Sequence, residues 1–213
     1  MNMLPRPKLL LLDLDDVLVE YSHAIRCRVL AQASGASEEQ VHRAVFASGL
    51  EARSDRGEFD LDAYLDLLRS EWGLDIPASE FLSARRQSTR ARPGMLALCE
   101  ALSSQAQLAV FTNNGQWLHQ HIDRVLPELS PLFRHRFVTS ASLRLSKPDP
   151  QAFAACLERL GYASHSTLFV DDKRANVDGA KQAGIDAFVF EDEAQFAGEL
   201  VGRGFVLGEL HAF

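Results

Sequence analysis

The sequence has few cysteines and no long apolar run. Its three cysteines, Cys27, Cys99 and Cys156, form no Cys-x-x-Cys pair and have no histidine at zinc-site spacing, which argues against a disulfide framework and a structural zinc site. The N-terminal apolar run, Leu9–Leu12, stops at Asp13. A signal peptide needs roughly 7–15 apolar residues and a membrane-spanning helix about 18. We therefore expect a cytoplasmic protein that does not enter a membrane.

Positively charged residues are also outnumbered by negatively charged ones. The chain of 213 residues has 22 lysines and arginines against 29 aspartates and glutamates, a net charge of −7. An acidic chain has no general field that attracts nucleic acid or anionic lipid, although a local basic pocket can still bind a small anion. The sequence also lacks a P-loop, a dinucleotide-binding glycine fingerprint and a Gly-x-Ser-x-Gly elbow. We expect a small-molecule partner, and the oligomeric state is left open.

Short apolar runs alternate with amphipathic stretches along most of the chain. The runs are Lys8–Leu12, Gln107–Phe111, Arg136–Val138, Thr167–Val170 and Ala187–Phe190. The helical stretches are Pro93–Ser104, Gln116–Val125, Pro150–Leu160, Ala175–Ala183 and Glu193–Gly202. Buried strands alternating with helices are typical of βαβ units. The pattern predicts an α/β fold with a doubly wound, mainly parallel, Rossmann-like sheet.

One segment, residues 18–92, breaks this alternation and contains no convincing strand. Its helical stretches are Ala24–Ala33, Ser37–Ala47, Leu61–Trp72 and Ala78–Ser88. Ser37 and Gln40 have the spacing of a capping box, which marks a helix start. We predict a small helical-bundle cap over residues 18–92, inserted after the first strand of an α/β core formed by residues 1–17 and 93–213.

Carboxylates, amides and a hydroxyl come directly after predicted strands. These residues are Asp13 and Asp15, then Thr112, Asn113 and Asn114, then Asp171 and Asp172. In open α/β sheets ligands bind at the carboxyl ends of the strands. Carboxylates from two strand ends repel each other unless a cation lies between them, and Mg²⁺ suits a site shared with phosphate oxygens. Lys147, on a loop before a helix that begins at Pro150, adds positive charge. The sequence therefore predicts a pocket for a metal and a phosphate, in which an aspartate can act as a nucleophile.

The order of these motifs resembles that of the haloacid dehalogenase-like hydrolase superfamily over nearly the whole chain. The four matching segments are LLLLDLDDVL, AVFTNN, SKPDP and FVDDKRAN. The helical insertion, with SDRGEFDLDAYLDLL and RPGMLALCEAL, is similar to the subgroup of sugar-phosphate phosphatases and the phosphatase domain of epoxide hydrolases. One departure is Asp16, where glycine is frequent in the family.

The resemblance implies four catalytic residues. Asp13 takes the place of the nucleophile and Asp15 that of the general acid and base. Thr112 and Lys147 would hold the phosphate oxygens.

It also implies a Mg²⁺ site and a substrate site. Asp13, the Asp15 backbone carbonyl and Asp172 would bind Mg²⁺ directly, Asp171 would support it through water, and Asn176 would lie nearby. Substrate contacts are expected from Thr112, Asn113 and Lys147, and from Arg53 and Arg56 of the cap.

The function expected from the resemblance is Mg²⁺-dependent hydrolysis of a small phosphomonoester, such as a sugar phosphate, through an aspartyl-phosphate. Asp15 favours a phosphatase over a 2-haloacid dehalogenase, because dehalogenating relatives usually carry an aromatic residue there and need no proton transfer to a leaving oxygen. The alternatives are a phosphomutase or a dehalogenase on the same fold, or a non-catalytic protein that binds a phosphorylated metabolite.

Overall fold

Parallel strands form the central sheet, and every strand predicted from the sequence is present. The computed structural model describes residues 6–207, and its strands are β1 (Leu9–Leu12), β2 (Val19–Tyr21), β3 (Thr89–Ala91), β4 (Gln107–Thr112), β5 (Phe137–Thr139), β6 (Thr167–Asp171) and β7 (Asp186–Val189). The sheet has the order β5-β4-β1-β6-β7, and all its neighbours are parallel. The central position of β1 puts its carboxyl end between those of β4 and β6.

Helices cover both faces of this sheet. They are α1 (His23–Ser34), α2 (Glu38–His42), α3 (Leu50–Asp55), α4 (Leu61–Trp72), α5 (Ala78–Gln87), α6 (Pro93–Leu102), α7 (Gln116–Gln120), α8 (Ile122–Val125), α9 (Ser130–Phe133), α10 (Ser140–Leu143), α11 (Pro150–Leu160), α12 (Arg174–Gln182) and α13 (Glu193–Gly202). Along β1, Leu9 and Leu11 pack with α11 and α12, whereas Leu10 and Leu12 pack with α6 and α13. This alternation buries both faces and confirms the doubly wound architecture. In residues 6–207 no helix is both long enough and apolar enough to cross a bilayer.

The insertion after β1 is helical, as predicted, but it also contains two strands. Helices α1 to α5 form most of it, and the capping box of Ser37 and Gln40 is present at the start of α2. The expectation that this segment has no strand is wrong, because β2 and β3 pair antiparallel where the chain leaves the core and returns. Each has three residues with polar members, so neither produces an apolar run in the sequence. The boundaries at residues 17 and 93 stay a prediction, and residues 1–5 and 208–213 lie outside the described residues.

Other differences concern short helices. The predicted helix over residues 116–125 is divided into α7 and α8 at His121, whose φ of −116° is not helical. Helices α3, α9 and α10, of four to six residues each, were not predicted. Elements this short have too few residues to show a helical periodicity.

The loop that carries Lys147 is packed tightly against α12. Asp149 caps α11, since its Oδ1 accepts a hydrogen bond from the backbone N–H of Gln151 at 2.8 Å. Gly179 lies against the carbonyl of Pro148, and a Cβ on Gly179 would come within 1.9 Å of that oxygen. The absence of a side chain at residue 179 therefore sets the position of the Lys147 loop.

We predict that Gly179→Ala destabilises the protein by about 1–3 kcal/mol, because the added methyl group overpacks the loop contact. The matched control is Gly198→Ala in the middle of α13, where a Cβ meets nothing within 4 Å. That change should stabilise the protein by about 0.5–1 kcal/mol through helix propensity. Urea unfolding measures both, and a stabilising Gly179→Ala would contradict the close approach.

Candidate active site

Lys147 lies between two buried carboxylates at the carboxyl edge of the sheet. Its Nζ is 2.7 Å from Asp13 Oδ1 and 2.7 Å from Asp171 Oδ2. It also donates a hydrogen bond to the Phe111 carbonyl oxygen at 2.9 Å. Burial alone would lower the pKa of Lys147, but the two carboxylates raise it. The three ammonium donors are therefore used, and the lysine stays charged.

Asp171, at the end of β6, is fully buried and saturated with donors. Its Oδ1 accepts from the Lys173 backbone N–H at 2.8 Å, and both oxygens lie 3.0 Å from Asn176 Nδ2. Burial acts to raise the pKa of Asp171, but Lys147 and these hydrogen bonds outweigh it and hold the pKa below its usual value. Asp171 is thus a fixed anion.

Asp13 and Asp172 complete a group of three carboxylates. One oxygen from each of Asp13, Asp171 and Asp172 lies within 4.8 Å of the others. Burial raises the pKa of Asp13 to about 7, with a further contribution from Asp171 and opposition from Lys147. Burial also raises the pKa of Asp172, whose buried Oδ1 has no hydrogen-bond partner among the described residues.

This group fits a hard divalent cation. When all three carboxylates are ionised, they leave two negative charges beyond the one lysine, which a divalent cation balances, and carboxylate oxygens are the ligands that such cations prefer. The unpartnered Asp172 oxygen is an orphaned buried acceptor, which a metal ion would satisfy.

Asp15 is held by an arginine from the insertion. Nη2 of Arg85, on α5, lies 2.6 and 2.9 Å from the two carboxylate oxygens of Asp15, and Asn114 Nδ2 donates to Oδ2 at 3.1 Å. Arg85 is 1% exposed, and its guanidinium carbon lies 3.9 Å from the centre of the Tyr21 ring. No sequence signal links Arg85 to Asp15, because the two residues are far apart in the chain and meet only in the fold.

The polar residues after β4 form hydrogen bonds with other residues of the site. Asn113 donates to the Lys147 carbonyl at 2.8 Å and accepts from the Lys147 N–H at 3.0 Å, so its amide anchors the lysine loop. The buried Thr112 hydroxyl accepts from Asn114 Nδ2 at 2.8 Å. Asp16 has φ of 63°, the left-handed region that glycine adopts most easily, which explains the frequency of glycine there in related motifs.

Two adjoining cavities meet at these residues. The smaller, of about 240 Å³, is lined by Asp13, Asp15, Thr112, Asn113, Lys147, Lys173 and Asn176. The larger, of about 430 Å³, lies between the core and the insertion and shares Asp15, Asn113 and Lys173 with the smaller one. Lys173 was missed by sequence reasoning, although it directly follows the acidic pair.

Arg53 and Arg56 are not brought into this site. Both pair with Glu58, at 2.8 and 2.7 Å, and their side chains are 43% and 53% exposed. Neither is among the residues that line the two cavities. Substrate contact by these arginines stays a prediction.

Comparison with known proteins agrees with this geometry. A family profile described as haloacid dehalogenase-like hydrolase matches residues 7–184. The chain belongs to this family. It is therefore a haloacid dehalogenase-like hydrolase, and the predicted family resemblance and α/β fold with a helical insertion are confirmed.

Individual relatives include a phosphatase and metal-bound structures. The chain is 33% identical over 116 residues to a phosphatase of Mycobacterium tuberculosis, a match that covers 49% of this chain and 46% of that protein. The chain thus matches less than half of that relative's length. A predicted hydrolase of this family from Porphyromonas gingivalis superposes with a TM-score of 0.76 at 18% identity, covering 93% of this chain and 98% of that one. A family member from Bacteroides thetaiotaomicron, in complex with magnesium and inorganic phosphate, gives 0.75 at 18% identity, covering 89% and 98%. At these identities the structural matches show the fold.

We predict that Lys147→Met lowers the free energy of unfolding by about 3–5 kcal/mol in metal-free buffer, because it leaves Asp13 and Asp171 buried without a counter-charge. The control is Lys181→Met on the exposed side of α12, which should change stability by less than about 0.5 kcal/mol. Urea unfolding of both variants measures this, and equal losses would show that the Nζ contacts contribute nothing.

Proposed function

We propose that this hydrolase cleaves small phosphomonoesters through a phosphorylated Asp13. The observation that carries the proposal is the position of the Asp13 carboxylate. It lines a cavity of about 240 Å³, which is large enough for a phosphate group, together with Asp15 and with Lys147, whose Nζ contacts Asp13 Oδ1. Because Lys147 contacts Oδ1 of Asp13, Oδ2 of Asp13 is the oxygen that attacks phosphorus. The phosphatase among the relatives supports the same reaction class.

We also propose that the metal is Mg²⁺. Asp13, Asp172 and the Asp15 backbone carbonyl would bind it, and Asp171 would support it through water because its own oxygens are occupied. The magnesium and phosphate bound to the Bacteroides protein support this choice. When bound, Mg²⁺ supplies positive charge that offsets the charge of the carboxylates and the phosphate oxygens.

The reaction has two steps at phosphorus. In the first, Asp13 forms a bond to phosphorus, the ester P–O bond breaks, and Asp15 gives its proton to the leaving alcohol oxygen. In the second, water attacks the aspartyl-phosphate, its proton goes to Asp15, and inorganic phosphate leaves Asp13. Thr112 lies at the cavity wall to donate to a phosphate oxygen, whereas Lys147 acts through its charge, since its donors are engaged.

Arg85 orients Asp15 for this proton transfer. Its Nη2 lies 2.6 and 2.9 Å from the two Asp15 oxygens, and this charge-assisted contact fixes the direction in which the carboxyl group faces the cavity.

We further infer a small phosphorylated metabolite as partner and a cytoplasmic location. The size of the two cavities supports the first. The three cysteines, all buried and unpaired, support a reducing compartment.

We predict that chelation abolishes activity, that Mg²⁺ restores it, and that Mg²⁺ raises the unfolding temperature of the wild type by mass action. Asp172→Asn removes a direct ligand, so it should lose both effects. The control is Asp178→Asn, an exposed carboxylate on α12, which should keep both. Full activity in excess chelator, or thermal stabilisation of Asp172→Asn equal to that of the wild type, would contradict the metal assignment.

We predict different defects for the two aspartates of the first motif. Asp13→Asn should abolish turnover, because no phosphoenzyme forms. Asp15→Asn should lower turnover of alkyl phosphates by about 10²–10⁴-fold, since alkoxides leave poorly without a proton. With an activated aryl phosphate, Asp15→Asn should release a burst of phenol and then stall as a phosphoenzyme. A burst in Asp13→Asn with none in Asp15→Asn would show that the two roles are reversed.

A further inference from the structure

Lys173 lies where the two cavities meet. It lines the smaller cavity together with Asp13 and Thr112, and it also lines the larger cavity between the core and the insertion. Its backbone N–H donates to Asp171 Oδ1 at 2.8 Å, which fixes the backbone from which the side chain starts. Its ammonium group makes no hydrogen bond or ion pair with any other residue in the range 6–207. This charge is therefore available to a ligand.

The other cations that line the two cavities have their donors engaged. Lys147, in the smaller cavity, uses its ammonium group on Asp13, Asp171 and the Phe111 carbonyl oxygen. Arg26, in the larger cavity, is 1% exposed, and its terminal nitrogens bind Glu51 at 2.6 and 3.2 Å. A phosphate in the smaller cavity thus receives charge from Lys147 at a distance but no direct hydrogen bond from it.

A phosphate in the smaller cavity needs direct donors, and two lie on its walls. Thr112, at the end of β4, is 1% exposed, and its hydroxyl hydrogen has no acceptor among the described residues. Lys173 lies beyond the end of β6 and directly before α12, which has no acidic residue in its first turn. The start of a helix carries partial positive charge, which adds to that of the ammonium group. The two donors come from different strands, so an anion between them is held from two elements.

The charges of the larger cavity direct Lys173 toward the phosphate rather than toward an anion on the leaving group. Four carboxylates against two cations line the larger cavity, namely Asp15, Asp16, Glu51 and Asp55 against Arg26 and Lys173. A second anion on the leaving group would lie among these carboxylates and be repelled by them. The phosphate lies instead beside the proposed metal site.

We propose that Lys173 is a further phosphate-binding residue, whose ammonium group donates to an oxygen of the phosphate that Thr112 contacts from β4. It supplies the direct cationic hydrogen bond that Lys147 cannot make, because the donors of Lys147 are engaged. The inference rests on the proposed phosphatase function for its substrate, whereas binding of inorganic phosphate is measured without turnover.

Calorimetric titration of inorganic phosphate into protein saturated with Mg²⁺ tests the contact. Lys173→Met should weaken phosphate binding about tenfold, because a charge-assisted hydrogen bond is lost. The matched control is Arg174→Met, which removes the same charge one residue later, from an exposed side chain that lines neither cavity. It should stay within about twofold of the wild type, since exposed charges are screened. Equal losses in the two variants would overturn the contact.

Titration of Mg²⁺ alone separates a phosphate contact from a disturbance of the site. Lys173 directly follows Asp172, so its positive charge opposes the binding of a cation there. Without phosphate, Lys173→Met should bind Mg²⁺ as tightly as the wild type or more tightly. A variant that loses affinity for both Mg²⁺ and phosphate would overturn the inference, because Lys173 would then only maintain the structure of the site.

Two esters identify the anion that Lys173 contacts. An aryl phosphate has no second anionic group, whereas 3-phosphoglycerate carries a carboxylate. Lys173→Met should lower kcat/KM for both by the same factor, about tenfold, because both share the phosphate. A loss confined to 3-phosphoglycerate, with unchanged binding of inorganic phosphate, would overturn the inference and assign Lys173 to the leaving group.

The same measurements separate this inference from the proposed function. Wild-type protein that hydrolyses both esters, with phosphate binding that is independent of Lys173, would overturn the inference alone. Wild-type protein that binds inorganic phosphate through Lys173 but hydrolyses neither ester would overturn the proposed function and leave the phosphate contact in place.

Discussion

The ammonium group of Lys147 between Asp13 and Asp171 is the interaction on which the site depends. Parallel pairing of β1 with β6 forces the two carboxylates together in a buried position, where like charges cannot both persist without compensation. The loop that carries Lys147 is held in place from two sides. The Asn113 amide hydrogen-bonds the Lys147 backbone, and Gly179 lies against the Pro148 carbonyl. The position of Asp13, the proposed nucleophile, is thus set by charge balance as much as by the backbone.

The insertion contributes a residue to the edge of the core rather than only covering it. Arg85 of α5 is the ion-pair partner of Asp15, so the proton transfer that we propose for Asp15 involves a residue of the insertion. The same segment supplies the wall of the larger cavity, where the Arg26–Glu51 pair is internally neutralised. In the function that we propose, the phosphate lies at the charged edge of the core and the leaving group lies against the wall formed by the insertion.

The sequence predicted those features of the fold that depend on local patterns of residues. The buried strands were found because their apolar runs are continuous, and the helix that begins at Pro150 was found because Asp149 and Pro150 form a start signal. Several short elements, including β2, β3 and α3, were not predicted, because three to six residues show no periodicity. Arg85 was missed for another reason: its partner, Asp15, lies far away in the chain, so only the fold reveals the contact. Arg53 and Arg56 were singled out because the cap loop of the resembled subgroup can face the substrate. Both pair with Glu58, and their contact with substrate stays a prediction.

The central claim is that phosphate is transferred to Asp13, and chemical trapping of the phosphoenzyme tests it most directly. Borohydride reduces an aspartyl-phosphate to homoserine, which peptide mass spectrometry locates to a single position. The Asp15→Asn protein, mixed with an aryl phosphate and Mg²⁺ and then reduced, is expected to contain homoserine at position 13 and to lack it when the phosphate ester is omitted. Homoserine at another aspartate, or inorganic phosphate released by the wild type without any trapped adduct, would contradict the account.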